Sequence, residues 1–215
     1  MKKVISYSLW GKSSKYTIGA LRNAETAKEF YPGWICRFHV ASDVPYLIKE
    51  KLSEYDNVEL IERAEPCNWT GMFWRFEDAS DPNVDVMISR DTDSRLNMRE
   101  KLAVDEWLSG DKGFHIMRDH PYHATEILGG MWGAKKGTVP NMKDMIQEYV
   151  KGDFWQVDQN FLKEEIYPLV RNSSCVHDDY FEKKPFPIKR KPGNFVGQAF
   201  NADDSLCNPE HARLL

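Results

Sequence analysis

The segment Val84-Asp85-Val86-Met87-Ile88-Ser89-Arg90-Asp91-Thr92-Asp93-Ser94-Arg95 constrains the fold more than any other part of the chain. Its apolar run of Val86, Met87 and Ile88 reads as a short buried strand that ends in two carboxylates one residue apart. In extended backbone the side chains at i and i+2 point the same way, so Asp91 and Asp93 are placed to converge on one hard cation where an α/β sheet opens into a loop. Asp-x-Asp alone is also the composition of a solvated turn. The residues that follow shift the balance: Asn97 with Glu100 three positions on is a capping-box signature, Leu96, Ala103 and Trp107 recur at helical spacing, and Ser109-Gly110 stops the run. The order is strand, acidic turn, helix, and a cation at such a turn is placed to meet a diphosphate.

The residues before this segment repeat the same alternation. Residues 4–10 read as a strand, 16–30 as a helix with Ile18 and Leu21 on one face and a stop at Pro32-Gly33, 34–40 as a second strand, 45–55 as a short helix and 58–61 as a third strand. That succession predicts an α/β fold with a mostly parallel central sheet and helices on both faces. Residues 68–76 are dense in aromatics, and Trp69, Phe73 and Phe76 are expected to pack. Arg75 among them suits either a bidentate phosphate contact or a surface ion pair.

Beyond the acidic turn, residues 114–118 alternate like a strand and run into Asp119-His120-Pro121-Tyr122-His123. Pro121 and the lack of a helical His-x-x-x-His spacing favour a hydrogen-bonded loop over a metal site. Gly129, Gly130 and Gly133 permit either a close backbone approach to a ligand or tight turning. Helices are expected at 141–149 and from Val157 toward Pro168. Asp158, near the start of the second, is either a cap or a carboxylate aimed into a cleft. Residues 173–179 end another apolar step in polar ligand types, and 181–215 read as a tail wrapping the domain, without repeats.

With 215 residues, 41% of them hydrophobic, the chain is expected to form one domain with a proper core. A formal charge of −4 offers no cationic field, which argues against nucleic acid as a main partner and means that any phosphate is gripped locally. The N-terminal residues show neither a signal peptide nor a membrane span, so a soluble, cytoplasmic protein is expected. Cys36, Cys67, Cys175 and Cys207 are scattered without a C-x-x-C pair and are expected as free thiols.

Taken in order, the parallel α/β half, Ser89-Arg90-Asp91-Thr92-Asp93-Ser94-Arg95, Ile127-Leu128-Gly129-Gly130-Met131-Trp132-Gly133, Asp158-Gln159 and Val176-His177-Asp178 resemble glycosyltransferases of the GT-A fold. Within it the chain is similar to the small single-domain transferases typified by capsid-glycosylating enzymes of large algal viruses. The likeness covers most of the chain to about Asp179 and includes Asn194-Phe195-Val196-Gly197-Gln198. It implies a nucleotide-binding half over about 1–95 and a donor-sugar and acceptor half over about 96–215. It implies that Asp91 and Asp93, with Thr92 between them, hold Mn²⁺ or Mg²⁺ against a UDP-sugar, with His177 as a further metal ligand. Ser6, Tyr7, Ser8 and Leu9 would cradle the base, and Gly129, Gly130 and Gln159 would touch the donor sugar. Asp158 would act beside the anomeric carbon of a retaining enzyme, Asp119 would be the base of an inverting one, and the acceptor would be a glycan or glycoprotein. The chain lacks the long lysine-bearing closing loop of the glycogenin-like branch. An Asp-x-Asp site also serves phosphatases and phosphomutases, although their motif normally ends the first strand. A non-catalytic sugar-nucleotide-binding module is the third alternative.

Overall fold

The computed structural model describes residues 1–64, 68–149 and 152–215. Strand and helix alternate through β1 (Lys3–Leu9), α1 (Ser14–Phe30), β2 (Ile35–Ala41), α2 (Tyr46–Ser53) and β3 (Val58–Arg63). A 3₁₀ helix over Trp69–Ser80 leads to β4 (Val86–Ser89), followed by α3 (Met98–Ser109), β5 (Phe114–Arg118) and β6 (Trp132–Lys135). Then come α4 (Met142–Glu148), α5 (Val157–Phe161), a π-helical turn over Leu162–Ile166, α6 (Tyr167–Val170), β7 (Ser174–Asp178) and a last helical turn, α7 (Pro209–Ala212).

The strands form one sheet in the order β3-β2-β1-β4-β6-β5-β7. Every neighbouring pair is parallel except the two made by β6, which runs antiparallel to β4 and to β5. This strand is the element the sequence conceals, because Gly133 at its centre carries no strand preference. Glycine is required there: a Cβ would lie 2.9 Å from both the Ile88 side chain and the Met87 carbonyl.

Pleat alternation splits the core into two layers. Ile5, Tyr7, Leu9 and Ile88 face α1, α2 and α3, packing with Phe38, Leu52 and Trp107. Val4 and Met87 face the other way, toward the 3₁₀ helix, α4, α5 and α6, among Phe73, Phe76, Phe114, Trp132 and Phe161. The buried stripe of α1 is the small one, Ala20, Ala24 and Ala27, while Ile18 and Leu21 stay partly exposed; small side chains let the helix lie close on the sheet. At α3 the expected cap forms, since the Asn97 side chain accepts from the Glu100 N–H at 3.1 Å. The Glu100 carboxylate turns inward instead of back to the cap, accepting from Tyr31 OH and Arg90 Nε, each at 3.0 Å. The tail wraps back over the sheet end, where the Phe200 N–H donates to the Asp93 carbonyl at 2.8 Å. Cys36, Cys175 and Cys207 are free thiols, and Cys67 lies outside the described residues.

Candidate active site

Where β1 and β4 end, the chain turns away from the sheet and leaves a cleft of about 630 Å³. Asp91 does not continue the strand: its carbonyl accepts from the Ser94 N–H at 3.2 Å and from Ser94 Oγ at 2.8 Å. The two acids therefore share the cleft through a turn and not through strand alternation. Helix α1 holds this turn in place. Asn23 Nδ2 donates to the Thr92 carbonyl at 3.2 Å and the Ser94 carbonyl at 2.9 Å, while its Oδ1 accepts from the Leu96 N–H at 3.3 Å. Gly19 sits so close to the Thr92 carbonyl that a Cβ would overlap it. Neither Gly19 nor Asn23 carries a sequence signal, because their partners lie about seventy residues away.

Two cations sit on the acids. Lys15 Nζ lies 2.8 Å from Asp93 Oδ2, and Arg75 pairs with Asp91 through Nη1. Burial pushes the Asp93 carboxyl above its ordinary pKa and the charge of Asp91 adds to this, with Lys15 pulling the other way. Arg75 also reaches Asp158 Oδ2 through Nη2 at 3.1 Å. Asp158 is fully buried in the first turn of α5, and its second oxygen, Oδ1, has no hydrogen-bond partner among the described residues. Burial raises this carboxyl too, Arg75 lowers it, and Asp91 raises it again. Arg75 is thus the link between the acidic turn and α5. It is buried and paired with the cleft's own carboxylates, so the ion pair it makes is not the exposed surface one.

Gly129 and Gly130 form the wall opposite. A Cβ on Gly129 would stand 2.6 Å from Asp158 Oδ2, and one on Gly130 would overlap Asp91 Oδ2. The glycines are needed for close approach, not for turning. Thr92, Gln159, Ser8 and Leu9 complete the expected lining.

Several expectations are corrected. Ser6 and Tyr7 do not line the cleft: Ser6 Oγ donates to Asp78 at 2.6 Å beneath the sheet, and Tyr7 stacks on Phe38 inside the core, 4.7 Å between ring centroids. Trp10 and Tyr16, unforeseen, do line it. Trp69 is 41% exposed at the rim, where its N–H donates to Asp153, another carboxylate of the cleft. Asp119 is fully buried and saturated, accepting from Arg99, Arg190 and the Val196 N–H, so it has no lone pair free to act as a base. His177 lies on β7, separated from β4 by β6 and β5; three strand spacings are about 14 Å. It bonds to His115 instead, and does not line the cleft. The loop histidines behave as expected: His123 Nδ1 accepts from the Asp119 N–H at 3.0 Å, and His120 bonds to the His211 carbonyl at 3.1 Å.

A seven-stranded, mostly parallel sheet with helices on both faces and an acidic turn at the end of its fourth strand is the GT-A glycosyltransferase fold. The chain is similar along its whole length to the crystal structure of a glycosyltransferase involved in glycosylation of the major capsid of PBCV-1, with 16% identity, 100% of both chains covered and a TM-score of 0.56. Galactosyltransferase LgtC, solved with donor and acceptor sugar analogues, matches at 13% identity over 83% of this chain and 74% of its own, with a TM-score of 0.56. A candidate glucose-1-phosphate thymidylyltransferase from Bacillus anthracis matches at 10% identity over 83% and 86%, with a TM-score of 0.53. No protein-family model matches the sequence, and the search of curated proteins found no match. No helix among the described residues is long and apolar enough to cross a membrane.

Proposed function

We propose that this protein is a glycosyltransferase that moves a sugar from a nucleoside-diphosphate donor, UDP-linked, to a glycan acceptor with retention of anomeric configuration. The observation that carries this reading is the convergence in one cleft of Asp91, Asp93, the Gly129-Gly130 wall and the Asp158–Arg75 pair. Asp91 and Asp93 fit a hard divalent cation, Mn²⁺ or Mg²⁺, because they offer oxygen donors only and the half-buried Asp93 carries the repulsion of Asp91's charge. When bound, such an ion supplies Lewis-acid neutralisation of the leaving diphosphate.

The protein's own groups do the rest. Arg75 keeps both carboxylates it touches oriented into the cleft, and Lys15 is the second cation within reach of a phosphate. The unpaired Oδ1 of Asp158 accepts a donor-sugar hydroxyl or faces the positive charge developing at the anomeric carbon. In a retaining transfer the bond from that carbon to the diphosphate oxygen breaks, the bond to the acceptor oxygen forms on the same face, and the acceptor's proton leaves with the diphosphate. A second cavity of about 480 Å³ adjoins the cleft and shares His123, Leu128, Trp155, Gln159 and Gly197 with it. Its Tyr122 and Trp155, each 64% exposed, with Asn160 and Gln156, offer the aromatic faces and amides that suit a sugar ring.

Thermal shift with UDP, with and without Mn²⁺, tests the donor site; stabilisation requiring the metal is expected, and equal stabilisation in excess chelator rejects the cation's role. Pyrophosphate release from a nucleoside triphosphate and a sugar phosphate would instead make the protein a nucleotidyltransferase. Proton NMR of the first product reads the stereochemistry. An inverted product removes the role given to Asp158 and directs the search for a base to Asp153, since Asp119 has no free lone pair.

A further inference from the structure

Away from the cleft, the parallel register of β5 and β7 gathers a different set of ligands. His115 is opposite Cys175 across the ladder, and His177 follows two residues along β7, so pleat alternation puts all three side chains on one face. Their ligand atoms lie within 4.8 Å of one another, and among the described residues this is the one cluster of three such metal-ligand types. The two imidazoles meet at His115 Nε2 and His177 Nδ1, 2.8 Å apart, nearly at right angles. We propose that His115, Cys175 and His177 form a site for a borderline-soft divalent ion of the Zn²⁺ type, separate from the acidic turn and independent of what the cleft does.

The surroundings are those of a ligating pair. His177 Nε2 lies 3.4 Å from Glu106 Oε1 on α3; in the tautomer that turns an Nε2 proton toward this carboxylate, Nδ1 presents its lone pair to His115. A carboxylate behind a ligating histidine is the usual outer-shell arrangement at zinc. The His115 ring is itself stacked on Trp107, 5.2 Å between centroids and 14° from parallel, which holds it in one orientation. No group among the described residues bonds its Nδ1, so no partner outside the pair holds the proton of this ring on Nε2, and it is free to sit on Nδ1 and release the Nε2 lone pair. Without metal, Nε2–H donates to His177; with metal, that proton sits on Nδ1, the thiol proton is released, and the N···N separation opens from 2.8 Å toward the roughly 3.3 Å of a tetrahedral ion. Burial pushes both imidazoles below their ordinary pKa, which keeps them neutral and able to ligate. Burial and Glu106 raise the Cys175 thiol, and Lys184, Lys135 and Lys112 pull it back. Cys175 is only partly buried on an edge strand, which leaves a path of entry for the ion. Thiolate with two imidazoles selects Zn²⁺ or Co²⁺ over the Mn²⁺ and Mg²⁺ that suit the carboxylates of the cleft.

Co²⁺ titrated into the chelator-stripped full-length protein is the test. One equivalent is expected to give a near-ultraviolet thiolate-to-cobalt band with the visible bands of a tetrahedral ion, undisturbed by excess Mg²⁺. Cys175→Ser should lose the thiolate band, Glu106→Gln at an exposed position should weaken Co²⁺ binding by about 10–100-fold, and Asp93→Asn should change neither. Absence of the thiolate band from the wild-type protein leaves the pair as a hydrogen-bonded one and overturns the proposal, as does a band that survives in Cys175→Ser. An unchanged cobalt affinity in Glu106→Gln removes the carboxylate's part in it.

Discussion

Replacing Arg75 with methionine isolates the link that organises the cleft. The substitution keeps a long unbranched side chain of similar reach and removes only the guanidinium. Asp158 is fully buried, and among the described residues Arg75 is the one side chain that hydrogen-bonds its carboxylate; with Oδ1 already unpaired, the variant leaves a buried carboxylate with no side-chain partner among them. Breaking a buried pair from one side costs about 3–5 kcal/mol, because the remaining charge is stranded. The bond to Asp91 adds little, since that side chain is 42% exposed and water takes over its solvation. For a domain of this size the loss corresponds to a fall in melting temperature of about 6–20 °C. Urea denaturation at pH 7 measures it as a shift in midpoint at constant m-value. The double variant Arg75→Met, Asp158→Asn removes the stranded charge and is expected to recover roughly half or more of the loss, a coupling above about 1 kcal/mol in the cycle. A single variant within about 1 kcal/mol of wild type, or strictly additive effects, would refute the claim that the pair is held by desolvation.

Asp93→Asn should lower turnover on the order of 10³-fold, about 4 kcal/mol of barrier, while folding survives; steady-state transfer with UDP-sugars reads it, and retention of most of the activity would remove Asp93 from the site. Gly130→Ala should displace Asp91 and weaken Mn²⁺-dependent nucleotide binding by more than tenfold, measured by calorimetry, and wild-type affinity would show that the wall is looser than its geometry. Trp155→Ala should raise the acceptor KM with donor hydrolysis unchanged, and a changed hydrolysis rate instead would assign this side chain to the donor. His123 is pushed down to about 3 by burial and then by the charge of His120. Its unfolded form therefore takes up a proton first, and the stability it contributes is present above its ordinary 6.5 and lost as pH falls through that window. His123→Asn keeps an acceptor for the Asp119 N–H and should flatten part of the acid slope in thermal melts between pH 6.5 and 4; an unchanged slope would assign it to other groups.

What the sequence determines by itself is what short-range physics controls. The strand-turn-helix around Asp91 is readable because an apolar run, turn residues and an Asn97 cap act within a dozen positions, and the α/β succession is readable because each period is local. The sequence also places Gly129, Gly130 and Asp158 at the ends of elements, where a cleft can form. Tertiary structure alone decides which of these groups meet. His177 and Asp93 end similar strands in the sequence, yet strand order sets two strands between β7 and β4, and His177 joins His115 and Cys175. Asp119 reads as a free acid until Arg190, seventy-one residues on, closes over it. Ser6 and Tyr7 belong to the right strand but to its buried faces, and the burial of Ser6 depends on the 3₁₀ helix that supplies Asp78. Arg75 stands sixteen residues from Asp91 and eighty-three from Asp158, and it becomes the hinge of the site because the assembled sheet buries it between the two carboxylates, with Asp158 itself fully desolvated. Ion pairing of that kind depends on distance and dielectric, which exist only once the sheet is assembled.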